Sequence, residues 1–221
     1  MPSPTDSRRN SISHARARDA RIVWLLDRHP VTAAMLVSLG LFASKRRALR
    51  RLNRLVTCGR IRLVGTVSRA KGRPEHVYCR WRPKVDDLVH EIELTALCLR
   101  LDAEKIDRGP HVTDQTIRPD AEVWINGQVY YLELDRGTMG YVQVERRFHL
   151  YESFADFVLW VCSTTDRREG LRARAKRLRP CALFTTFAEA LSDPHRPIWL
   201  DVAGTRVGLS VHRDSSKKSA E

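Results

Sequence analysis

Residues 118–138 read RPDAEVWINGQVYYLELDRGT, and their reading decides the architecture of the larger part of the chain. Asn126-Gly127 stands between two strand-like stretches, a pairing of residue types that favours a tight two-residue hairpin. Asp120 starts one strand and Glu133 lies near the end of its partner, so the two fall roughly opposite each other. Asp135 is two places further on and shares a face with Glu133, because side chains alternate along a strand.

Working outward, Pro83 opens a linker, and 86–101 is helical with Leu88, Ile92, Thr95 and Leu99 on its inner side. A polar loop, DAEKIDRGPHV, follows at 102–112. Beyond the hairpin a long helix is expected from about Thr138, with Tyr141, Val144, Phe148, Tyr151 and Phe154 at helical spacing as core residues. Next come an apolar strand (156–162), a basic helix (167–179), a strand (181–185), a short Ala-rich helix, a last strand (198–202) and a frayed tail with Lys217-Lys218. This order of elements predicts a mixed sheet flanked by helices, hence an α/β fold. The basic helix reads equally well as a second DNA-contacting face or as a solvated surface helix.

The charge is divided along the chain. Of 39 Lys and Arg and 26 Asp and Glu in 221 residues, 19 and 4 fall in 1–82, leaving 20 and 22 in 83–221. The whole net charge of +13 thus lies in the first third, which asks for an anionic partner, most simply nucleic acid. With 43% hydrophobic residues the bulk of the chain can bury a core. No apolar run is long enough for a membrane helix, and the start shows no signal-peptide core. Five scattered cysteines without CxxC spacing suit a reducing cytoplasm rather than a disulfide framework or a cysteine-rich zinc site. Eight dispersed histidines without HxH or HExxH disfavour a zinc hydrolase, and no phosphate-binding glycine motif is present.

Residues 1–17 are polar and Arg-rich and read as a disordered basic arm. From Asp19 a helix carries Ile22, Val23, Leu25 and Leu26 on one face until His29-Pro30 stops it. Thr32 caps a second helix ended by Gly40, and Ser44 caps a third that stops at Gly59. In the third helix Ala48, Leu52, Leu55 and Val56 form the inward stripe, and Lys45, Arg46, Arg47, Arg50, Arg51 and Arg54 populate the remaining faces. Two strands, 61–67 and 75–81, are joined by SRAKGRP, with Arg69, Lys71 and Arg73 at the tip. Three helices followed by a basic-tipped hairpin are the order of a winged helix-turn-helix domain over 18–82. Its third helix would enter the major groove while the wing follows the backbone.

Asp120, Glu133 and Asp135 at one end of a sheet repel one another unless a cation balances them. A hard divalent ion, Mg²⁺ or Mn²⁺, takes such oxygen ligands, with Glu91 of the preceding helix as a further candidate, and could activate water at a scissile phosphate. The alternative is an acidic cluster satisfied by arginine, with Arg118 or Arg136 as partner.

The stretch RPDAEVWINGQVYYLELDRGT, followed by a helix carrying Arg147 and Tyr151, resembles the replication-relaxation family of plasmid and mobile-element proteins over roughly 18–185. Its most specific elements are RPD and LELDRGT, and members place a winged helix-turn-helix before this segment. The resemblance implies a DNA-binding protein acting in plasmid replication and DNA relaxation. A looser resemblance joins the α/β part to the PD-(D/E)XK nucleases: Pro119-Asp120 matches the first motif and Glu133-Leu134 begins the second. Asp135 stands where that motif has lysine. In this pattern Asp120, Glu133, Asp135 and Arg136 are the catalytic candidates, although arginine stabilises charge without serving as a base.

The expected organisation is therefore a basic arm (1–17), a winged helix-turn-helix (18–82), a nuclease-like α/β domain with a mixed sheet (83–205) and a tail (206–221). Double-stranded DNA is the expected partner, with a second copy of the chain or a replication component beside it and no membrane. Two roles compete: a metal-dependent DNA-nicking enzyme, and a binding protein that regulates an origin or promoter on a degenerate nuclease frame.

Overall fold

The computed structural model describes residues 4–68, 73–84, 87–109, 118–152, 157–175 and 181–209, with side chains from Ala15 onward. Two compact units divide the chain, Met1–Thr95 and Ala96–Glu221.

The first unit begins with α1 (Pro4–Arg28). Helix therefore runs through most of the stretch expected to be a disordered arm, well ahead of Asp19. The physical reason is propensity: Pro4 sits at the first helical position, where no N–H is required, and Ala15, Arg16, Ala17, Arg18, Ala20 and Arg21 favour helix. Ile22, Leu25 and Leu26 are buried on one face. Val31–Thr32 forms β1, and Thr32 then accepts a hydrogen bond from the Met35 N–H as the cap of α2 (Ala33–Ser38). Ser44 caps α3 (Lys45–Thr57) in the same way through the Arg47 N–H. Ala48, Leu52 and Leu55 of α3 are buried, and Val56 is half-buried.

The hairpin strands are β2 (Arg62–Val67) and β3 (Glu75–Cys79), and the sheet order is β1-β3-β2, antiparallel throughout. The short β1 was not anticipated, since two residues carry no periodicity; it exists because Val31 and Thr32 pair with Tyr78 and Val77. Register shifts between Leu63 and Gly65, where the strand bulges. A Cβ on Gly65 would lie 2.7 Å from Leu88 Cδ2. The start of α4 (Leu88–Leu101) thus packs on β2, and the boundary between the units falls inside this helix rather than at Pro83.

The second unit is built on a seven-stranded mixed sheet, β10-β9-β8-β7-β6-β5-β4. Its members are β4 (Lys105–Arg108), β5 (Ala121–Ile125), β6 (Gln128–Asp135), β7 (Phe157–Cys162), β8 (Ala182–Thr186), β9 (Trp199–Leu200) and β10 (Arg206–Val207). The hairpin between β5 and β6 turns at Asn126 and Gly127, both at positive φ (54° and 72°), as a tight hairpin turn requires. Two expectations need correction. Part of the polar loop at 102–112 is β4, which pairs with β5 through backbone groups that hydropathy does not report. The tail expected from 206 instead begins with β10, paired to β9.

β6, β7 and β8 run parallel, so crossover helices cover the sheet: α5 (Tyr141–Tyr151) and α6 (Thr165–Arg174). α5 starts after Thr138 and α6 before Arg167; α7 (Phe187–Ser192) follows β8. Val144, Phe148 and Tyr151 of α5 pack with Trp160, Leu171 and Phe184 in one buried cluster, Phe148 meeting Trp160 edge-on at 4.9 Å. The aromatic stripe is therefore core; Phe154 lies outside the described residues.

Candidate nucleic-acid interface and carboxylate cluster

Amphipathic α3 presents its cations on the side opposite Ala48, Leu52 and Leu55. The fold separates them into two groups. Lys45 is ion-paired with Glu75 of β3, and Arg51 with Asp19 of α1, its Nε donating to Oδ1 at 2.8 Å. Both carboxylates are buried, so these pairs tie α3 to its neighbours. Arg46, Arg47, Arg50 and Arg54 are exposed and make no ion pair among the described residues. Arg73 is exposed after the hairpin tip, whereas Arg69 and Lys71 lie outside the described residues. Asn53, in the same exposed arc, accepts a hydrogen bond through Oδ1 from the Tyr78 hydroxyl at 3.0 Å. The sequence gives no sign of that contact.

In the second unit, Asp120 precedes β5, and the Asp120 N–H donates to the Leu132 carbonyl at 3.0 Å, which continues the ladder and sets Asp120 beside Glu133 as expected. The three carboxylates then diverge in their partners. Asp120 Oδ2 accepts the Leu134 N–H at 2.7 Å. Glu133, 3% exposed, receives hydrogen bonds on Oε1 from both Arg147 and Tyr151 of α5, the latter at 2.5 Å. Arg147 also donates to the Arg118 carbonyl at 2.9 Å. Asp135 accepts from Arg167 Nε at 3.0 Å and, through Oδ1, from the Gly137 N–H at 2.6 Å.

Burial and the neighbouring Asp120 charge push the Glu133 carboxyl up to about 8, against the lowering effect of Arg147 and Tyr151. Near neutral pH Glu133 therefore keeps its proton. Burial, then Glu133, raises the Tyr151 hydroxyl as well, which keeps it a donor. For Arg147 burial acts downward, but Glu133 and Tyr151 outweigh it and hold the side chain firmly charged.

The arginine that satisfies Glu133 is thus Arg147, one helix away, rather than Arg118 or Arg136. Arg118 contributes its backbone carbonyl, and Arg136 is exposed just beyond β6. Glu91 lies in the first turn of α4. Among the described residues no three His, Cys, Asp or Glu side chains form a group that could hold a metal ion.

The described cations of α6 have partners within the second unit. Arg167 binds Asp135 and stacks on Tyr141, which Arg174 covers at 3.6 Å from the ring centre. Arg168, 7% exposed, pairs with Glu169 and with Glu189 at 2.9 Å; Arg172 pairs with Glu169 and reaches the Val202 carbonyl. Burial alone would raise Glu189, but hydrogen bonds from Thr186 and the Arg168 charge hold it below its ordinary value. These arginines tie α6 to β6, α5 and α7. Residues 176–180 of the expected helix lie outside the described residues.

Sequence reasoning had Arg147, beside Arg136, as an arginine able to reach the place of the missing lysine, but assigned neither Arg147 nor Tyr151 to Glu133, because Tyr151 also fits the aromatic stripe. The available signal was their spacing of four residues on the helix after the strand, which places both on one face. Among the described residues no helix is long and apolar enough to cross a membrane. Comparison of the chain with protein-family models, with curated proteins and with solved structures finds no match.

Proposed function

We propose that the protein binds double-stranded DNA through a winged helix-turn-helix in its first unit, with α3 as the recognition helix and the β2–β3 hairpin as the wing. The observation that carries the proposal is the arc of Arg46, Arg47, Arg50 and Arg54, exposed and without ion pairs among the described residues, on a helix whose other cations are neutralised internally. An arginine left unpaired on a folded surface is available to phosphates and guanine edges. The order α1-β1-α2-α3-β2-β3 and the sheet order β1-β3-β2 agree with that domain type.

The second unit, on this proposal, is a nuclease-like frame that serves binding or regulation rather than cleavage. Its residues do not fit a divalent ion. Arg147 already supplies positive charge at Glu133, and Glu133 Oε1 and Asp120 Oδ2 accept hydrogen bonds from protein donors. No step through Mg²⁺ or Mn²⁺ follows from such a cluster. The resemblance to replication-relaxation proteins suggests the setting, plasmid or mobile-element replication, with the cytoplasm as the compartment.

The test is the salt dependence of duplex binding by the full chain. Each neutralised phosphate contributes about −0.9 to the slope of log K against log salt, so the slope counts the cations of the first unit that meet phosphate. Replacing Arg46, Arg50 and Arg54 together with Ala should weaken binding and flatten the slope by about 1 for each of them that meets phosphate. A triple variant that binds with unchanged slope would remove α3 from the interface. Trimming the wing cations Arg69, Lys71 and Arg73 should lower affinity similarly for all sequences, since phosphate contacts carry no base information.

A further inference from the structure

The geometry points to a recognition surface that offers hydrogen-bond donors and almost no acceptors, and we propose that α3 therefore selects guanine-rich duplex and discriminates against adenine. This inference rests on the DNA-binding proposal above and adds which base edges the helix reads.

Arg46, Arg50 and Asn53 follow one another at spacings of four and three, so they share one stripe along the exposed side of α3. Arg47 and Arg54 lie together along one side of it. Arginine carries five N–H donors and no acceptor. The residue type that could read adenine here is Asn53, through the paired contact of an amide oxygen with N6–H and an amide nitrogen with N7. That oxygen is already engaged: Tyr78, 1% exposed and fixed on β3, donates its hydroxyl to Asn53 Oδ1 at 3.0 Å. Holding Oδ1 toward Tyr78 leaves the NH₂ as the other end of the Asn53 amide, the end available to a base edge.

The nearby acceptors are committed in the same manner. Glu75 is held by Lys45, Asp19 by Arg51, and Ser44 Oγ by the Arg47 N–H. Thr57 stands at the end of α3, with its hydroxyl donating to the Asn53 carbonyl at 3.1 Å. Helix-turn-helix proteins bring the N-terminal part of the recognition helix to the bases, which favours Arg46 and Arg50 over Thr57. Guanine is the base whose major-groove edge shows two acceptors, N7 and O6, and arginine meets both at once. Adenine places its N6 amine where guanine has O6, so an arginine donor aimed there would face another donor and lose its partner.

The experiment is selection of full-length protein on a random-sequence duplex library, followed by competition between a guanine-run duplex and an adenine/thymine duplex of equal length. Guanine steps should be enriched, and each contacted guanine changed to adenine should weaken binding about tenfold. Tyr78→Phe keeps the ring and removes the hydroxyl, which frees Asn53 Oδ1; adenine should then gain about tenfold at one position of the site. Asn53→Gln, whose longer amide escapes Tyr78, should produce the same gain and guards against a Tyr78 variant that folds poorly. Enrichment of adenine-containing sites by the wild type, or equal binding to every sequence, overturns the inference while leaving DNA binding in place. Unchanged base preference in both variants overturns the role given to Tyr78 and Asn53. Failure to bind any duplex would remove the underlying proposal and this one together.

Discussion

Glu133→Gln tests the charge state of the buried carboxylate cluster, because glutamine keeps the shape and the Oε1 acceptor of the protonated acid and cannot ionise. The folded-state value of Glu133, about 8, stands above its ordinary 4.5. A raised carboxyl binds its proton more tightly in the folded than in the unfolded protein. The stability this supplies is fully present below about 4.5 and is lost as pH rises toward and through about 8. At about 1.4 kcal/mol per pH unit, the whole loss is on the order of 5 kcal/mol, a large part of the stability of an ordinary domain. Glu133→Gln should lack this slope, so its advantage over wild type should grow steadily from pH 4.5 to 8 and then level off. The assay is chemical unfolding at a series of pH values, followed by tryptophan fluorescence. Trp160 and Trp199 are buried in the second unit and report on its loss of structure, while other titrating groups cancel between the two proteins. Parallel pH profiles for wild type and variant would mean that Arg147 holds Glu133 ionised, and would refute the proton assigned to the cluster.

Other expected outcomes bear on the same two units. Asp120→Asn removes the charge that helps raise Glu133, so the pH at which stability declines should move downward, with no metal-dependent nicking of supercoiled plasmid in either protein; nicking that needs Mg²⁺ and vanishes in the variant would restore the enzyme reading. Arg147→Met removes the donor that Glu133 Oε1 and the Arg118 carbonyl share and should cost about 2 kcal/mol in the unfolding transition of the second unit. Gly170→Ala would ordinarily stabilise a helix by about 1 kcal/mol, yet here the new Cβ would lie 2.5 Å from the Tyr141 hydroxyl oxygen; a net loss of about 1 kcal/mol is expected by thermal melting. Arg51→Ala breaks the pair with Asp19 and should lower the melting temperature while leaving the salt slope of DNA binding unaltered.

The local features are legible in residue order alone. Thr32 and Ser44 cap helices through N–H groups three residues on, and Asn126-Gly127 makes its turn, because each feature depends on neighbours in the chain. Helical spacing likewise marked Val144, Phe148 and Tyr151 as core, and charge counting located the basic unit. Strand alternation also set Asp120 beside Glu133, since a two-residue turn fixes the register between its arms. Which partners those acids take depends on how distant elements pack. Arg147 reaches Glu133 and Arg167 reaches Asp135 because two crossover helices lie on the same face of the sheet, a fact of packing that no local pattern contains. The same holds for Lys45 and Arg51, which the sequence grouped with the DNA-facing cations and which Glu75 and Asp19, each about thirty residues away, withdraw from that group. Charge counts add along a chain, but availability of a charge depends on which opposite charge the fold brings within reach. Hence composition was enough to expect an anionic partner, and only the folded arrangement separates the arginines free to meet it from those that hold the protein together.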